Sequence, residues 1–294
     1  MSRASRPLIF GEVLFDCFPD GARVLGGAPF NVAWHCQAFG LAPLLVSRIG
    51  RDELGEHIID AMVGWGMDTS GIQLDDEHAT GVVAVQFNQG EPSYDIVADS
   101  AWDFIDPARL PAVDGKGWLY HGSLALRQQR SAAALQQLAG CGRSLFVDIN
   151  LRPPWWQLTQ ISTLLERVQL LKLNEHELMQ LVPDAESLQQ AMEALIDERN
   201  IQLLVVTRGE QGVMAADALG DVISAVPQPA TRVMDTVGAG DAFSSVLLLG
   251  QHRGWSLPDC LQRAQAFASA IVGIQGATIN DKSFYQPFIA DWQL

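Results

Sequence analysis

The stretch Met234–Ser245, MDTVGAGDAFSS, holds the residue types best suited to chemistry. Gly238, Ala239 and Gly240 stand directly before Asp241, and Asp241 opens an apolar helical pattern. A Gly-Ala-Gly run lets the backbone take positive φ and turn successive N–H groups toward one anion. The free N–H groups and dipole of the following helix add positive potential. Asp241 lies in the first turn, where that potential favours its ionised form. The combination suits transfer of a phosphoryl group to a hydroxyl. The amides stabilise the phosphoryl oxygens while Asp241 accepts the hydroxyl proton. The run is neither a dinucleotide fingerprint nor a Walker A loop: Phe243 stands where a third glycine is needed, and no lysine follows. Taken alone, Asp241 reads equally as a helix cap behind a glycine turn.

Such a corner needs a frame. Short apolar runs alternate with helical spacing along the chain. PLIFGEVLFD, PLLVSRIG, GWLYHGS, SLFVDIN, LLKLNE and QLLVVTRG read as strands. Helical spacing is expected over Ala28–Phe39, Asp52–Trp65 with Asp52 as N-cap, Gln129–Ala139, Ile161–Arg167, Glu175–Leu181 and Ser187–Asp197. Two more helices are expected after Gly240. Short apolar strands separated by helices predict an α/β fold with a mostly parallel sheet covered on both faces. Ligands then sit at the carboxyl ends of the strands. The region Thr80–Asp99 departs from this rhythm: GVVAVQF and SYDIV flank the turn composition NQGEP and read as an antiparallel hairpin. With the arms around FDCFPDGARVLGG it would form a small second sheet.

The 294 residues allow one large α/β domain or two small ones, and 48% hydrophobic with 18% charged residues excludes a disordered chain. A net charge of −15 argues against nucleic acid or an anionic membrane as partner. No apolar run reaches the length of a membrane span. Arg3 and Arg6 precede an apolar run as in a signal peptide, but Glu12 and Asp16 interrupt it, so a first strand after a short tail is expected. Cys17, Cys36, Cys141 and Cys260 show no metal-ligand spacing. They read as buried thiols of a reducing, cytoplasmic compartment.

Five motifs in order make the chain resemble the ribokinase-like carbohydrate kinases. They are GGAPFNVA (Gly26–Ala33), DINLRPPWW (Asp148–Trp156), KLNEHE (Lys172–Glu177), VVTRGEQG (Val205–Gly212) and DTVGAGDAF. The run of GE, FD, LGGAPFN and DINLR is most similar to the bacterial fructokinase branch. The resemblance implies one domain over 1–294, a three-layer sandwich with a small β lid near 13–27 and 80–101. It implies an ATP-dependent sugar kinase. Asp241 would be the general base and Gly238, Ala239 and Gly240 the anion hole. Asp16, Gly27 and Asn31 would bind the sugar. Asn174 and Glu177 match an N-x-x-E motif that organises Mg²⁺ and its waters near ATP, and their i, i+3 spacing suggests one helix face. Thr207, Gly209 and Gly212 match T-x-G-x-x-G beside the nucleotide; Gly276 and Ala277 resemble its later loop. Carbonyls of Asp235 and Val237 would hold K⁺ in relatives that use it. Arg152 is left between a substrate oxygen, an ATP phosphate and an ordinary surface position. Phe87 and Tyr94 would cover the sugar or belong to the core, and His121 is expected to be structural. EPSYDIVADSAWD carries no arginine, which argues against an acidic sugar such as 2-keto-3-deoxygluconate. Another ketose, a nucleoside, or a non-catalytic sensor on the same scaffold remain the rivals. The resemblance also implies a homodimer through the lid.

Overall fold

The computed structural model describes residues 6–88, 91–226 and 234–294, with side chains throughout except at 87, 88, 91 and 92. Among them the chain forms β1 (Leu8–Phe10), β2 (Leu14–Cys17), β3 (Arg23–Gly26), α1 (Ala28–Ala38), β4 (Leu44–Gly50) and α2 (Glu53–Trp65). Next come β5 (Ile72–Asp75), β6 (Gly81–Asn88), β7 (Glu91–Ile96), β8 (Trp118–His121), α3 (Gln129–Ala139), β9 (Ser144–Asp148) and α4 (Leu158–Leu164). Then follow β10 (Leu170–Asn174), α5 (Glu175–Leu181), α6 (Leu188–Arg199), β11 (Leu203–Thr207), β12 (Val213–Asp217) and β13 (Val222–Ala225). The helices α7 (Ala239–Arg253), α8 (Leu257–Val272) and α9 (Lys282–Trp292) complete the order.

One nine-stranded sheet runs β13-β12-β11-β10-β9-β8-β1-β4-β5. From β11 to β5 its neighbours are parallel, and β12 and β13 add an antiparallel edge. Adjacent strand residues feed opposite layers, as a pleated strand requires. Ile9 packs with α1, α7 and α8, whereas Leu8 and Phe10 pack with α3. Leu170 joins the first layer, and Leu171 and Leu173 pack with α5 and α6.

The helix α1 is buried on all sides from Pro29 to Cys36, not along one stripe. It packs against β1, β4 and α7, and residues Ala242 to Gly250 of α7 are buried too. Each large apolar side chain buried here contributes about 1.5–3 kcal/mol. That anchors the body of α7, from Ala242 onward, in the core. α9 had no counterpart in the periodicity reading. Pro287 sits inside it, and only Tyr285 and Trp292 are fully buried.

The second sheet, order β3-β2-β6-β7, stands apart. The hairpin β6–β7 is antiparallel as expected, with its turn at 89–90 outside the described residues. PLIFGEVLFD is two strands rather than one: β1 belongs to the large sheet and β2 to the small one. Between them Gly11 packs against Pro29 at the start of α1, and its N–H bonds the carbonyl of Val46. A mostly apolar run, broken only by Glu12 before Asp16, hides that switch, because β1 and the start of β2 are both buried.

Candidate active site

The amino end of α7 carries the centre. Gly238 is the N-cap, with φ 80°. A Cβ there would fall 2.5 Å from Cα and Cβ of Ala277, so close approach of two loops demands glycine. Asp241 follows in the first turn. Its Oδ2 accepts a hydrogen bond from Nδ2 of Asn31 at 2.8 Å. Asn31 projects from the first turn of α1, which Gly27 caps with φ 107°. A Cβ on Gly27 would meet the carbonyl oxygen of Glu12 at 2.7 Å. The first turns of α1 and α7, with Asn31 and Asp241 210 residues apart, thus share one hydrogen bond.

The ionisation of Asp241 differs from the sequence expectation. Burial raises its pKa to about 6, opposed by the Asn31 hydrogen bond and reinforced by the charge of Asp148. Desolvation of the carboxylate outweighs the helix-terminus field. A carboxylate with a raised pKa is a stronger base and remains ionised at neutral pH, which suits proton abstraction.

A buried ion pair lies beneath. Lys172 Nζ donates to Asp148 Oδ2 at 2.8 Å and to the carbonyl of Gly240 at 3.3 Å. Ser244 Oγ donates to the same Asp148 oxygen at 2.7 Å, and the Tyr120 hydroxyl at 3.3 Å. Asp148 and Lys172 are register partners on β9 and β10. The pair therefore ties the sheet rim to the first turn of α7. Lys172 also lowers the pKa of Asp241, so its charge reaches the centre.

Asn174 and Glu177 are arranged differently from a shared helix face. Asn174 is the last residue of β10 and the N-cap of α5. Its Oδ1 accepts from Glu177 N–H, and Glu177 Oε2 accepts from Asn174 N–H, each at 2.9 Å. Glu177 Oε1 accepts from Leu151 N–H at 2.8 Å. Glu177 is buried, and desolvation raises its pKa. The motif is a capping box, which asparagine at the strand end forms readily. Each carboxylate oxygen retains a lone pair for a water. Among the described residues no three His, Cys, Asp or Glu side chains form a metal-holding group. A direct multi-carboxylate metal site is thus absent from the described residues, and a water-mediated contact from Glu177 is what the donor set fits.

Thr207 pairs in register with Asn174 at the ends of β11 and β10. Gly209 and Gly212 form the tight connection from β11 to antiparallel β12, closed by a Gly212 N–H to Gly209 carbonyl bond of 3.0 Å. It is a hairpin turn and it also lies on the strand-end rim. Asp235 Oδ1 accepts from Val237 N–H at 2.9 Å and its Oδ2 from Gly276 N–H at 3.2 Å. That carboxylate links the segment before α7 to the 276–277 loop. The carbonyl of Ala277 meets His35 Nε2 at 3.0 Å, and His35 Nδ1 meets the Tyr285 hydroxyl at 2.9 Å. Burial lowers the His35 pKa to about 4, so the ring is neutral. Nε2–H then donates to the carbonyl, and Nδ1 accepts from tyrosine.

On the sugar side, Asp16 lies within β2 of the small sheet, not at the end of the first strand. It is half-buried, and desolvation raises its pKa. A Cβ on Gly26 would lie 3.8 Å from Asp16 Oδ2 and 3.9 Å from Asn31 Oδ1, so both oxygens border one small space. Arg152 is exposed, yet its charge lowers the pKa of both Asp241 and Glu12, so it stands near the centre. Tyr94 is 57% exposed and covers nothing here. The side chain of Phe87 lies outside the described residues. His121 is buried on the α3 face beside Leu119, bonded to the Gly122 carbonyl at 2.9 Å. Burial lowers its pKa to about 4. Its ring faces away from α7, because the neighbouring Tyr120 faces toward it.

The description "pfkB family carbohydrate kinase" matches residues 18–283. The chain belongs to the pfkB family of carbohydrate kinases. It is 31% identical over 257 residues to a fructokinase of Klebsiella pneumoniae, covering 82% of this chain and 83% of that one. A fructokinase of Vibrio cholerae O395, solved with fructose, ADP and calcium ion, superposes with a TM-score of 0.81 at 25% identity, over 96% of this chain and 98% of that one. A fructokinase of Xylella fastidiosa with bound ATP reaches a TM-score of 0.85 at 22% identity, over 99% and 100% of the two chains. The fold is therefore the ribokinase-like three-layer sandwich with its small sheet.

In this pfkB kinase two groups near the centre escaped the motif reading. Lys172 and Asp148 lie inside quoted motifs, but two residues paired across neighbouring strands and far apart in sequence give no periodic signal of an ion pair. Glu12 is buried with Oε2 unpartnered, and it interrupts the first apolar run. A lone acid inside an apolar stretch was the available signal. The cysteine expectation holds for Cys36 and Cys260 only: Cys17 is half-buried and Cys141 exposed, and all four are free. No described helix is long and apolar enough to cross a membrane.

Proposed function

We propose that this carbohydrate kinase transfers the γ-phosphoryl group of ATP to a hydroxyl of fructose. The observation that carries the reading is the 2.8 Å bond between Asn31 and Asp241, which joins the sugar-binding motif to the base. Asp241 takes the proton of the attacking hydroxyl as that oxygen bonds the γ-phosphorus. The bond from phosphorus to the β–γ bridging oxygen breaks, and ADP leaves. Backbone N–H groups around Gly238, Ala239 and Gly240 hold the phosphoryl oxygens, where charge develops most in the transition state. Asp16, Gly27 and Asn31 bind the sugar, and Arg152 reaches the transferring phosphate or the sugar. Asn174, Thr207, Gly209, Gly212, Gly276 and Ala277 border the nucleotide. Glu177 would hold a water of the Mg²⁺ ion that accompanies ATP, and that ion would neutralise charge on the phosphates. Carbonyls of Asp235 and Val237 offer a K⁺ position, supported by the Asp235 side chain fixing both that segment and Gly276.

The small sheet serves as a lid within one kinase domain. Closing it over the sugar excludes water, which would otherwise accept the phosphate. Its edge strands β3 and β7 also offer pairing to a second copy, and a homodimer through this sheet is part of the reading. Fructose is favoured by the fructokinase relatives, and the absence of arginine from 91–103 argues against an acidic sugar without choosing among neutral ones. The experiment is a coupled ADP-release assay with fructose, ribose, tagatose, 2-keto-3-deoxygluconate and adenosine, with and without K⁺. Fructose should give the highest kcat/KM. Higher turnover with adenosine or the keto-acid removes the fructose assignment.

A further inference from the structure

Glu12 plays no part in the mechanism above, yet its position is unusual. It follows β1 at the carboxyl end of the central parallel strands, where the chain passes from the large sheet to the small one. It is 3% exposed. Its Oε2 is fully buried and has no hydrogen-bond partner. We propose that Glu12 is a sugar-contacting, specificity-determining residue, whose free carboxyl oxygen forms a hydrogen bond with a substrate hydroxyl; this rests on the sugar-kinase reading.

Three observations locate it. The backbone of Glu12 abuts Gly27, at 2.7 Å from the point a Cβ there would occupy. Gly27 caps the helix that carries Asn31. The Glu12 carboxyl feels the charges of Asp241, Arg152 and Arg127, so it stands within reach of the base. Asn31 Oδ1, on the same side chain that donates to Asp241, is a second buried acceptor without a partner. An isolated buried acceptor is uncommon in a folded protein, and each of these two calls for a donor. A polyol supplies hydroxyl donors at the spacing of adjacent carbons. Burial also raises the Glu12 pKa to about 7, so near neutrality the group offers both a protonated and an ionised form. It can therefore accept from one hydroxyl or donate to it.

The test is Glu12→Gln, which keeps the shape and removes the charge. Wild type is first shown to phosphorylate a sugar, and the two proteins are then compared on that sugar and on its monodeoxy analogues. The variant should raise the sugar KM about 10- to 100-fold, as expected for a site left with a mismatched buried polar group. The ATP KM should be unchanged. One monodeoxy analogue should be poor with wild type and suffer little further loss with the variant, because both changes remove the same bond. An unchanged sugar KM, equal changes in both KM values, or full additivity with every analogue overturns the proposal in favour of a buried water. If Glu12→Gln does not fold, Glu12→Asp replaces it, and a folded Asp variant with wild-type sugar KM overturns the proposal. A wild type that phosphorylates no sugar removes the proposed function and this inference together. A working wild type with an indifferent variant removes only this one.

Discussion

The corner around Asp241 and the small sheet are built to opposite specifications. The corner is tied from every direction. Asn31 holds Asp241, Lys172 reaches the Gly240 carbonyl, and Ala277 packs against Gly238. α7 lies almost wholly in the core. The small sheet exposes Val24 and Tyr94, and one side chain links the end of β7 to the body beside the packing of Ile96 against the core. That side chain is Arg127, which donates to the Val97 carbonyl at 2.6 Å and the Ile96 carbonyl at 3.5 Å. It is held by Asp103 through two bonds of 2.7 and 2.6 Å. Its guanidinium lies over Trp102 at 4.3 Å and Trp155 at 4.4 Å. Catalytic geometry tolerates errors of only a few tenths of an ångström, whereas a cover over substrate must move. The contrast teaches that one fold separates positioning from access. Asn31 serves both, since it stands on the rigid helix α1 and borders the same space as Asp16 of the small sheet.

The sharpest way to break this contrast is at the base. Asp241→Asn should lower kcat by ~10³-fold or more, since general-base and electrostatic contributions are lost together. The ATP KM should change by less than about threefold, because binding to main-chain amides needs no carboxylate. Steady-state kinetics with both substrates varied reads both. In wild type, kcat/KM should fall as pH drops through about 6, because the working form of Asp241 is the ionised one. The pKa of Glu12 near 7 couples to this limb, so the profile reports the pair. A profile flat from pH 5 to 8, or an Asn variant with wild-type kcat, removes Asp241 as base.

The next test loosens the small sheet. Arg127→Gln leaves the buried Asp103 without its partner, which costs about 3–5 kcal/mol. The double variant Arg127→Gln, Asp103→Asn removes both charges and should fold with a smaller loss of Tm. In that background the sugar KM should rise about tenfold while the ATP KM stays within about twofold, as when ordered closure is weakened but the reaction corner is intact. Equal effects on both substrates would show that the two regions are coupled rather than separate.

How far the sequence foretold this depends on the range of each signal. Gly238-Ala239-Gly240-Asp241 was legible because a local backbone conformation and a helix start are written in adjacent residues. The parallel sheet was legible from apolar runs alternating with helical spacing. The switch at Gly11 was not, since PLIFGEVLFD is strand-like on both sides of it while its halves join two sheets. The raised pKa of Asp241 was not either. The local helix field argued for easy ionisation, and the burial that overrides it comes from residues distant in sequence. The capping box of Asn174 and Glu177 shows a third case: the spacing was read correctly, but asparagine takes the cap position because the strand ends on it. α9, with Pro287 inside and few buried residues, leaves little pattern to read.

The smallest effect probes how far the rigid frame extends beyond the corner. Tyr285 on α9 donates to His35 on α1, and His35 donates to the Ala277 carbonyl, so α9 supports the 276–277 loop through one neutral imidazole. Trp34 adds a 3.0 Å bond to the Ile279 carbonyl in the same loop. Tyr285→Phe keeps the ring packing against Phe39 and Phe267 and deletes the hydroxyl. His35 Nδ1 then lacks a donor inside the core, which costs about 1–3 kcal/mol. Tm should drop by a few degrees, as that loss implies for a chain of this size. The ATP KM should rise about two- to threefold, with the sugar KM unchanged, because only the loop behind Gly238 gains freedom. A sugar KM that moved instead would place the His35–Tyr285 pair in the service of α1 and Asn31, and the rigid frame would then be divided differently from the way Ala277 suggests.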